Sequence, residues 1–392
     1  MCCRMDISHI RNDFPPLSKY LWFQNGGVSL TPEPVARRHA ELMDELFQRG
    51  PMHIVYPDEE EPRRQASRQR LADFFRTSPD QLALMRGVSE AYQTVLRGLT
   101  WQAEDEIVIS AEEEAALLLP SLHLRDRHGV RIVKLPLFDD PQQQTDAFRD
   151  CLTDRTRLVA LSHVTTDWGF RLPVEDICRI ARLRSIPTFL DLAHSAGVFP
   201  IALDTLGCDF AGILSYKWMY APYAAGLLYI APHNTHTLQV TYAGGRSERS
   251  LDFEGDHYEL RESAEKHQYG PWSWPLVHAW ASACDYLDDM GLDDIWNSTA
   301  HLTARLKQGL LEIPTVELLT PQPAERSAAL VSFSLEGWTG TDLADVLRTR
   351  WNMIVKPLPH TREGLRVSLP FFLLEQEIDR LLAALQTLAG TG

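Results

Sequence analysis

A lysine between two apolar runs is the feature that most constrains this chain. The stretch ILSYKWMYAPYAAGLLY spans residues 213–229, with Lys217 followed by a turn of small residues and a second apolar run from Leu227. Buried lysines are rare because removing an ammonium group from water is costly. A site that desolvates a lysine lowers its pKa until the free amine is a nucleophile able to form a Schiff base. Lys217 is therefore expected in a functional site, the alternative being an amphipathic surface lysine.

An acidic residue upstream of this lysine provides a second chemical group. The stretch TFLDL (188–192) reads as a short buried strand that ends near Asp191. In an α/β sheet, an acid at the carboxyl end of a strand points into the crevice where ligands bind. Enzymes that use pyridoxal phosphate (PLP) need a lysine for a Schiff base with the cofactor and an acid that keeps the pyridine nitrogen protonated. Lys217 and Asp191 together predict a PLP site in which both are catalytic.

Two motifs extend this pair into a family resemblance. Asp-x-Ala-His at 191–194 and Ser-x-Lys-Trp at 215–218 resemble the motifs of PLP-dependent fold-type I enzymes of aminotransferase class V. That family contains cysteine desulfurases, kynureninases and isopenicillin-N-epimerase-like proteins, and the resemblance runs from about residue 25 to residue 380. Strands alternate with helical segments along the chain, as expected of a mainly parallel sheet.

The resemblance also implies a domain organisation. The fold expected is α/β, of the PLP-dependent transferase fold type I, with a mainly parallel central sheet flanked by helices and a smaller α+β C-terminal domain. Residues 1–35 are expected to pack on the small domain. Residues 36–285 are expected to form the large PLP-binding domain, and residues 286–392 the small C-terminal domain.

The resemblance assigns cofactor-binding positions before the central motifs. Ser89 stands at a helix start, where free backbone N–H groups favour an anion, and is expected to bind the cofactor phosphate. Val88 occupies a position often held by Thr, which costs the site one hydroxyl. Glu114 replaces an aromatic ring that stacks on the pyridine in relatives, and a carboxylate cannot stack. Either Trp168 or Tyr216 then covers the ring, or that face of the cofactor is open.

Further cofactor contacts are expected in and after the central motifs. Thr166 takes the place of an Asn and offers one hydroxyl without the second donor of an amide. His194 is expected to touch the cofactor, the alternative being a solvent-facing turn residue. Ser215 is expected to bind the phosphate. Relatives use a Thr to reach the partner subunit's phosphate where this chain has Pro271, and whether Ser273 replaces that contact is left open.

The substrate side of the site is expected to be built by Arg366 and an early turn. Arg366, in the stretch LRVSLP, matches the class V arginine that binds the substrate carboxylate. Arginine suits this role because its planar fork makes two parallel hydrogen bonds, whereas the alternative is a surface salt bridge. Asn25, Gly26 and Gly27 lie in the turn at the substrate end of the site and are candidates for the pocket wall.

These parts predict an enzyme acting at Cα or Cβ of an amino acid through a Schiff base between substrate and cofactor. An epimerase or a C–S/C–N lyase is favoured. Desulfurases need a Cys shortly before the carboxylate-binding arginine, and no Cys follows Cys284, so persulfide chemistry is not expected. A class V aminotransferase is the runner-up. A non-catalytic PLP-fold binding protein is the alternative from another class, although it would need neither Lys217 nor Asp191.

Charge and composition narrow the partners and the location. A formal net charge of −15 without a long basic cluster argues against nucleic acid and anionic membranes. No apolar run reaches the roughly 18 residues of a membrane span, and the start MCCRMDISHI lacks the apolar region of a signal peptide. A cytoplasmic protein is therefore expected. The resemblance implies a homodimer, because class V relatives complete each phosphate site from the neighbouring chain.

The cysteines and histidines indicate no metal site. The six cysteines include the adjacent Cys2 and Cys3 but form no CxxC pattern, so free thiols in a reducing compartment are expected. The histidines and acids form no HExxH-like set. No metal is therefore expected.

Overall fold

The structure, a computed structural model, describes residues 5–359 and 363–390. Cys2 and Cys3 lie outside these residues. The strands, in chain order, are β1 (Leu21–Trp22), β2 (Leu82–Met85), β3 (Glu106–Ser110), β4 (Arg131–Leu135), β5 (Thr156–Ser162), β6 (Thr188–Asp191), β7 (Phe210–Leu214), β8 (Gly226–Ile230), β9 (Glu248–Asp252), β10 (His257–Leu260), β11 (Val316–Leu318), β12 (Leu330–Leu335), β13 (Met353–Ile354), β14 (Lys356–Pro357) and β15 (Leu365–Ser368).

Helices connect most of these strands. In chain order they are α1 (Ile7–Ile10), α2 (Glu33–Arg49), α3 (Met52–Val55), α4 (Pro57–Phe74), α5 (Val88–Gly98), α6 (Ala115–His128), α7 (Pro141–Cys151), α8 (Val174–Leu183), α9 (Leu203–Leu206), α10 (Trp274–Met290), α11 (Leu292–Leu311), α12 (Gly340–Trp351) and α13 (Glu375–Ala389). Short 3₁₀ turns lie at Arg11–Asp13, Pro15–Ser18, Pro79–Gln81, Pro232–Asn234, Ala264–His267 and Ala324–Arg326.

A seven-stranded sheet forms the centre of the large lobe, in the order β2-β8-β7-β6-β5-β3-β4. The pairs from β4 through β3, β5 and β6 to β7 are all parallel. Only β8 runs against its two neighbours, β2 and β7. Strands β3, β6 and β7 are buried along their full length, which explains why the middle of each strand is apolar. The predicted mainly parallel α/β architecture is confirmed.

The register of this sheet brings the ends of β5, β6 and β7, with the site residues expected there, to one edge. Asp191, the last residue of β6, pairs with Ser162 of β5 on one side and with Gly212 of β7 on the other. Because parallel strands end at the same edge, the turns that follow β5, β6 and β7 lie side by side. These turns contain residues 163–169, 192–198 and 215–225, and they hold four of the eight residues expected to bind the cofactor: Thr166, His194, Ser215 and Lys217.

A second, four-stranded antiparallel sheet in the order β11-β12-β15-β14 forms the small lobe. Its apolar core includes side chains of α11, α12 and α13 together with Leu21 and Phe23 from the start of the chain. Strand β1 also pairs in parallel with β13. An early segment thus packs on the small lobe. The boundaries 1–35, 36–285 and 286–392 stay a prediction.

The Gly- and charge-rich sequence of 242–267 reads as an irregular segment, yet it contains an antiparallel hairpin of β9 and β10. Its strands are largely exposed on both faces, so their sequences show no apolar alternation that would have revealed them. In the described part of the chain, no helix has the length and apolar character that a bilayer crossing requires.

Candidate functional site

Lys217 lies just after β7 and is 8% exposed. Its Nζ is 3.2 Å from Nε2 of His194, and the Asn25 side chain donates to its backbone carbonyl at 3.2 Å. Burial lowers the pKa of Lys217 to about 8, although the charges of Glu114 and Asp191 act in the opposite direction. The amine is thus partly neutral near physiological pH, which is the state a nucleophile or a base requires.

The hydrogen bonds of His194 indicate which of its nitrogens carries the proton. Trp218 Nε1 donates to His194 Nδ1 at 3.4 Å, and an indole N–H can only donate, so Nδ1 is the unprotonated nitrogen. Burial and the charge of Lys217 hold the pKa of His194 well below its usual value, so the ring is neutral with its proton on Nε2. Nε2 lies 3.2 Å from both Lys217 Nζ and Thr166 Oγ1. A neutral amine can accept this proton and an ammonium cannot.

Thr166 connects this histidine to Arg366. Arg366 is 1% exposed, and its Nη1 donates to the Thr166 carbonyl at 2.8 Å and to the Thr166 hydroxyl at 2.9 Å. Its Nε and Nη2 are buried and have no hydrogen-bond partner in the described chain. These two groups form one edge of the guanidinium, the fork that matches a carboxylate. Because unpaired buried donors are costly, this open edge suits a ligand.

Glu114 belongs to the same cluster of side chains as Lys217, His194, Thr166 and Arg366. Its side chain forms a hydrogen bond with Thr166. Burial by itself would raise the pKa of Glu114, but Lys217, the Thr166 hydrogen bond, Lys356 and Arg366 outweigh it and lower the pKa. Glu114 is therefore an ionised carboxylate inside the site, at the position where relatives were expected to place a stacking ring.

Asp191 ends β6 and is 3% exposed. One carboxylate oxygen accepts from the Ala193 N–H at 2.7 Å. Burial raises the pKa of Asp191 to about 6, while the nearby charge of Lys217 acts to lower it. Asp191 is thus mainly ionised at pH 7. An ionised acid is what a protonated pyridine nitrogen requires as its partner.

The two aromatic candidates for covering a cofactor ring both border the cluster. Tyr216 is half-buried and stacks on Tyr223, with ring centroids 5.0 Å apart and planes inclined by 16°. Burial and the charges of Glu114 and Asp191 raise the pKa of Tyr216, so its hydroxyl lies near both acids. Trp168 is half-buried in the turn after β5. That one of them covers the cofactor ring stays a prediction.

The amino terminus of α5 offers a place for a phosphate. The helix begins at Val88 after Gly87, with no side chain capping its first N–H groups. A Cβ added at Gly212 would lie 3.4 Å from Val88 Cα, and Gly212 pairs with Asp191 in the sheet. The helix start is therefore one strand away from Asp191. Val88 is buried and offers only backbone, whereas Ser89 is exposed.

Ser215 and the early turn shape the walls of the site. The buried Ser215 hydroxyl donates to the Pro222 carbonyl, so the predicted phosphate contact would require this bond to break. A Cβ at Gly26 would lie 3.3 Å from His194 Cε1 and 2.7 Å from Ser368 Oγ, which leaves room only for glycine. A Cβ at Gly27 would instead meet the Gln24 side chain.

Sequence reasoning missed two charged residues of this cluster. Lys356 is half-buried and pairs with Arg366 across β14 and β15. Glu113 accepts from the Ser110 hydroxyl at 3.1 Å, and burial raises the pKa of Glu113 to about 7. No sequence signal marked Lys356, because its role depends on strand pairing, and Glu113 looked like one acid in an acidic run.

The described residues contain no group of three or more His, Cys, Asp or Glu side chains that could hold a metal ion. Four free thiols are described, of which Cys178, Cys208 and Cys284 are buried and Cys151 is half-buried. Burial raises the pKa of each of these thiols. None of them is therefore an activated nucleophile in this structure.

The cluster meets the requirements of PLP. It provides a buried lysine amine, an acid at a strand end beside it, and an uncapped helix start for a phosphate. Lys217 supplies the amine, Asp191 the acid and the first turn of α5 the free N–H groups, and Thr166 joins His194 to Arg366. Lys217 would hold the cofactor, Asp191 would face its ring nitrogen, and the α5 backbone would face its phosphate.

Comparisons with known proteins identify similar chains. The family model described as aminotransferase class-V matches residues 22–381. The chain is 32% identical over 341 residues to isopenicillin N epimerase from Streptomyces clavuligerus, covering 83% of this chain and 84% of the relative. It is 26% identical over 408 residues to a probable cysteine desulfurase from Xylella fastidiosa (strain 9a5c), covering 97% and 95% of the two chains.

Solved structures share the fold. A complex of a cystine C–S lyase with its reaction product cysteine persulfide matches with a TM-score of 0.87 and 23% identity, covering 95% of this chain and 99% of the other. The apo structure of a cysteine desulfurase from Thermococcus onnurineus NA1 also matches with a TM-score of 0.87 and 23% identity, covering 98% of both chains.

Proposed function

Because the chain belongs to the aminotransferase class V family of PLP-dependent enzymes, we propose that it moves a proton at Cα of an amino acid. The outcome proposed is epimerisation or cleavage of a C–S or C–N bond. PLP is the cofactor, and when bound it acts as an electron sink for charge that develops at Cα. The chain's own part is to hold the amino acid and to transfer the proton.

The observation that carries this proposal is the chain of contacts from Lys217 to Arg366. Two intervening side chains, His194 and Thr166, join the amine to the guanidinium through contacts of 2.9–3.2 Å. A substrate carboxylate on the open edge of Arg366 would be held at one end of this network and the proton-transferring amine at the other. Such fixed orientation is a major source of rate acceleration. A lysine pKa of about 8 also suits a base that works near neutral pH.

The cysteines favour this chemistry over sulfur transfer. No cysteine follows Cys284 in the sequence, and the four described thiols have pKa values raised by burial. Sulfur transfer needs an accessible thiolate that can leave the site with its sulfur. The proposal is therefore an epimerase or lyase without a persulfide-forming cysteine.

Incubating the PLP-loaded protein with L-amino acids in D₂O is expected to replace the Cα hydrogen by deuterium. NMR measures this exchange, chiral chromatography measures the D-isomer, and assays for oxo acid and ammonia measure bond cleavage. Formation of the D-isomer identifies an epimerase, and release of ammonia identifies a lyase. Conversion of the cofactor to its amine form would identify an aminotransferase and contradict the proposed outcome. An absence of exchange with every amino acid would contradict the proposal altogether.

The pH dependence of cofactor capture follows from the pKa of Lys217. Only the neutral amine attacks an aldehyde, so capture of PLP by the cofactor-free protein should rise about tenfold per pH unit below pH 8 and level off above it. Stopped-flow absorbance measures this rate. A solvated lysine, with a pKa of about 10.4, would show a rise that continues to about pH 10. A continued rise would show that Lys217 is not desolvated in solution.

The assembly and location stay predictions. A homodimer is supported by apolar side chains exposed on α2 and α3, where Phe47 is 82% and Ile54 67% exposed. Exposed apolar clusters of this kind commonly mark contact surfaces between chains. Ser273 is exposed just after Pro271, so a contact from Ser273 to a partner's phosphate also stays open. A cytoplasmic location is supported only by the sequence.

A further inference from the structure

Lys356 belongs to a row of cross-strand neighbours that faces the site. Ser332 of β12 pairs with Arg366 of β15, which pairs with Lys356 of β14. Side chains of directly paired residues lie on the same face of a sheet. The first two members of the row contact the turn after β5: the Ser332 hydroxyl donates to the Asp167 carbonyl, and Arg366 donates to the Thr166 carbonyl. Lys356 is therefore the outer member of a row directed at this turn.

The environment of Lys356 is unusual for a lysine. It is half-buried, and its ammonium makes no hydrogen bond or ion pair with the described residues. Its neighbour in the row is also a cation, and like charges directly opposite one another destabilise a sheet. Burial and the charge of Arg366 accordingly lower the pKa of Lys356. Glu114, Asp167 and Glu112 attract this ammonium electrostatically.

We propose that Lys356 binds a second anionic group, carried on the side chain of the substrate. The inference rests on the proposed function, in which the open edge of Arg366 holds the α-carboxylate. With that edge occupied, Lys356 is the neighbouring cation still available for an anion. The substrate class is therefore an amino acid whose side chain ends in a carboxylate or a similar anion. Arg366 and Lys356 repel each other while no anion is bound, and both charges are neutralised when such a substrate binds.

In the competing arrangement, Arg366 and Lys356 share a single carboxylate. Ligands that carry carboxylates but no amine distinguish this arrangement from the proposed one. Calorimetry on the PLP-loaded protein would compare succinate, glutarate and adipate with the monocarboxylate of the same length. The best dicarboxylate is expected to bind about 10- to 100-fold more tightly than its monocarboxylate, the range for one charge-assisted hydrogen bond. Lys356→Met keeps the aliphatic stem and should reduce this preference to less than about threefold.

Two further variants complete the test. Lys19→Met removes the same charge from an exposed position, and it should retain the preference. Arg366→Lys should weaken the binding of both the dicarboxylate and the monocarboxylate of each pair. Equal affinities of the wild type for every pair would overturn the inference. A Lys356→Met protein that loses affinity equally for both members would also overturn it, because that is the signature of one shared carboxylate. Dicarboxylate preference without any Cα exchange would support the inference and count against the proposed reaction alone.

Discussion

Replacing Lys217 with methionine is expected to lower the rate of Cα hydrogen exchange by about 10²- to 10⁴-fold, the range for a general base. The variant should also lose the covalent attachment of PLP. Methionine preserves much of the buried aliphatic stem while removing the only amine in contact with His194 in the described chain. Exchange of the Cα hydrogen by NMR and cofactor absorbance after borohydride reduction measure the two losses.

The stability of the same variant distinguishes a functional lysine from a structural one. The pKa of Lys217 is lowered by burial from 10.5 to about 8, so below pH 8 the buried ammonium destabilises the cofactor-free fold by on the order of 3 kcal/mol. The unfolded chain binds more protons between these values, so this penalty fades as pH rises from 8 to 10.5. Lys217→Met should therefore unfold at or above the wild-type temperature at pH 7, with the difference shrinking by pH 10.

The matched control for Lys217→Met is Lys19→Met, which changes the same charge at an exposed position. It should leave PLP attachment, exchange rate and melting temperature near wild type. Mass spectrometry of the borohydride-reduced wild type should find the adduct on the peptide that contains Lys217. An adduct on any other lysine would refute the assignment.

Changing Arg366 to lysine is expected to weaken amino-acid binding by about 10- to 100-fold, corresponding to about 1.5–3 kcal/mol for a charge-assisted hydrogen bond. Lysine keeps the charge but cannot present two parallel N–H groups to a carboxylate. The Nε and Nη2 groups have no partner in the described chain, so little internal bonding is lost on that edge. PLP content should stay near wild type. Titration with one amino acid, followed by the change in cofactor absorbance, measures the dissociation constants.

Arg326 is the matched control for this experiment. It is also buried, but its guanidinium donates to the backbone carbonyls of Phe138, Asp139 and Arg171. Arg326→Lys should therefore lower the melting temperature and leave the affinity of the folded fraction unchanged. If Arg366→Lys behaved in this way instead, with unaltered dissociation constants, Arg366 would be a structural residue and the proposed carboxylate contact would be wrong.

Local patterns in the sequence identified the parallel sheet and the cofactor. Continuous apolar runs mark buried strands, and Asp191 and Lys217 each follow such a run closely enough for their placement at a strand end to be inferred. The family motifs depend on the same short-range order. The hairpin of β9 and β10 was missed because its exposed strands place no apolar side chains on one face, so there was no period to detect.

The sequence by itself thus determined the fold class and the cofactor and predicted the lysine that should bind it, because each depends on residues within one strand and its turn. The tertiary structure decided how those groups are connected. The Arg366 contact with Thr166 joins residues 200 positions apart, and it sets which edge of the guanidinium is open. The row that includes Lys356 exists only through the pairing of β14 with β15. Such contacts depend on how the two lobes and the register of a sheet bring distant segments together. The local periodicity of apolar residues in the sequence carries no information about those contacts.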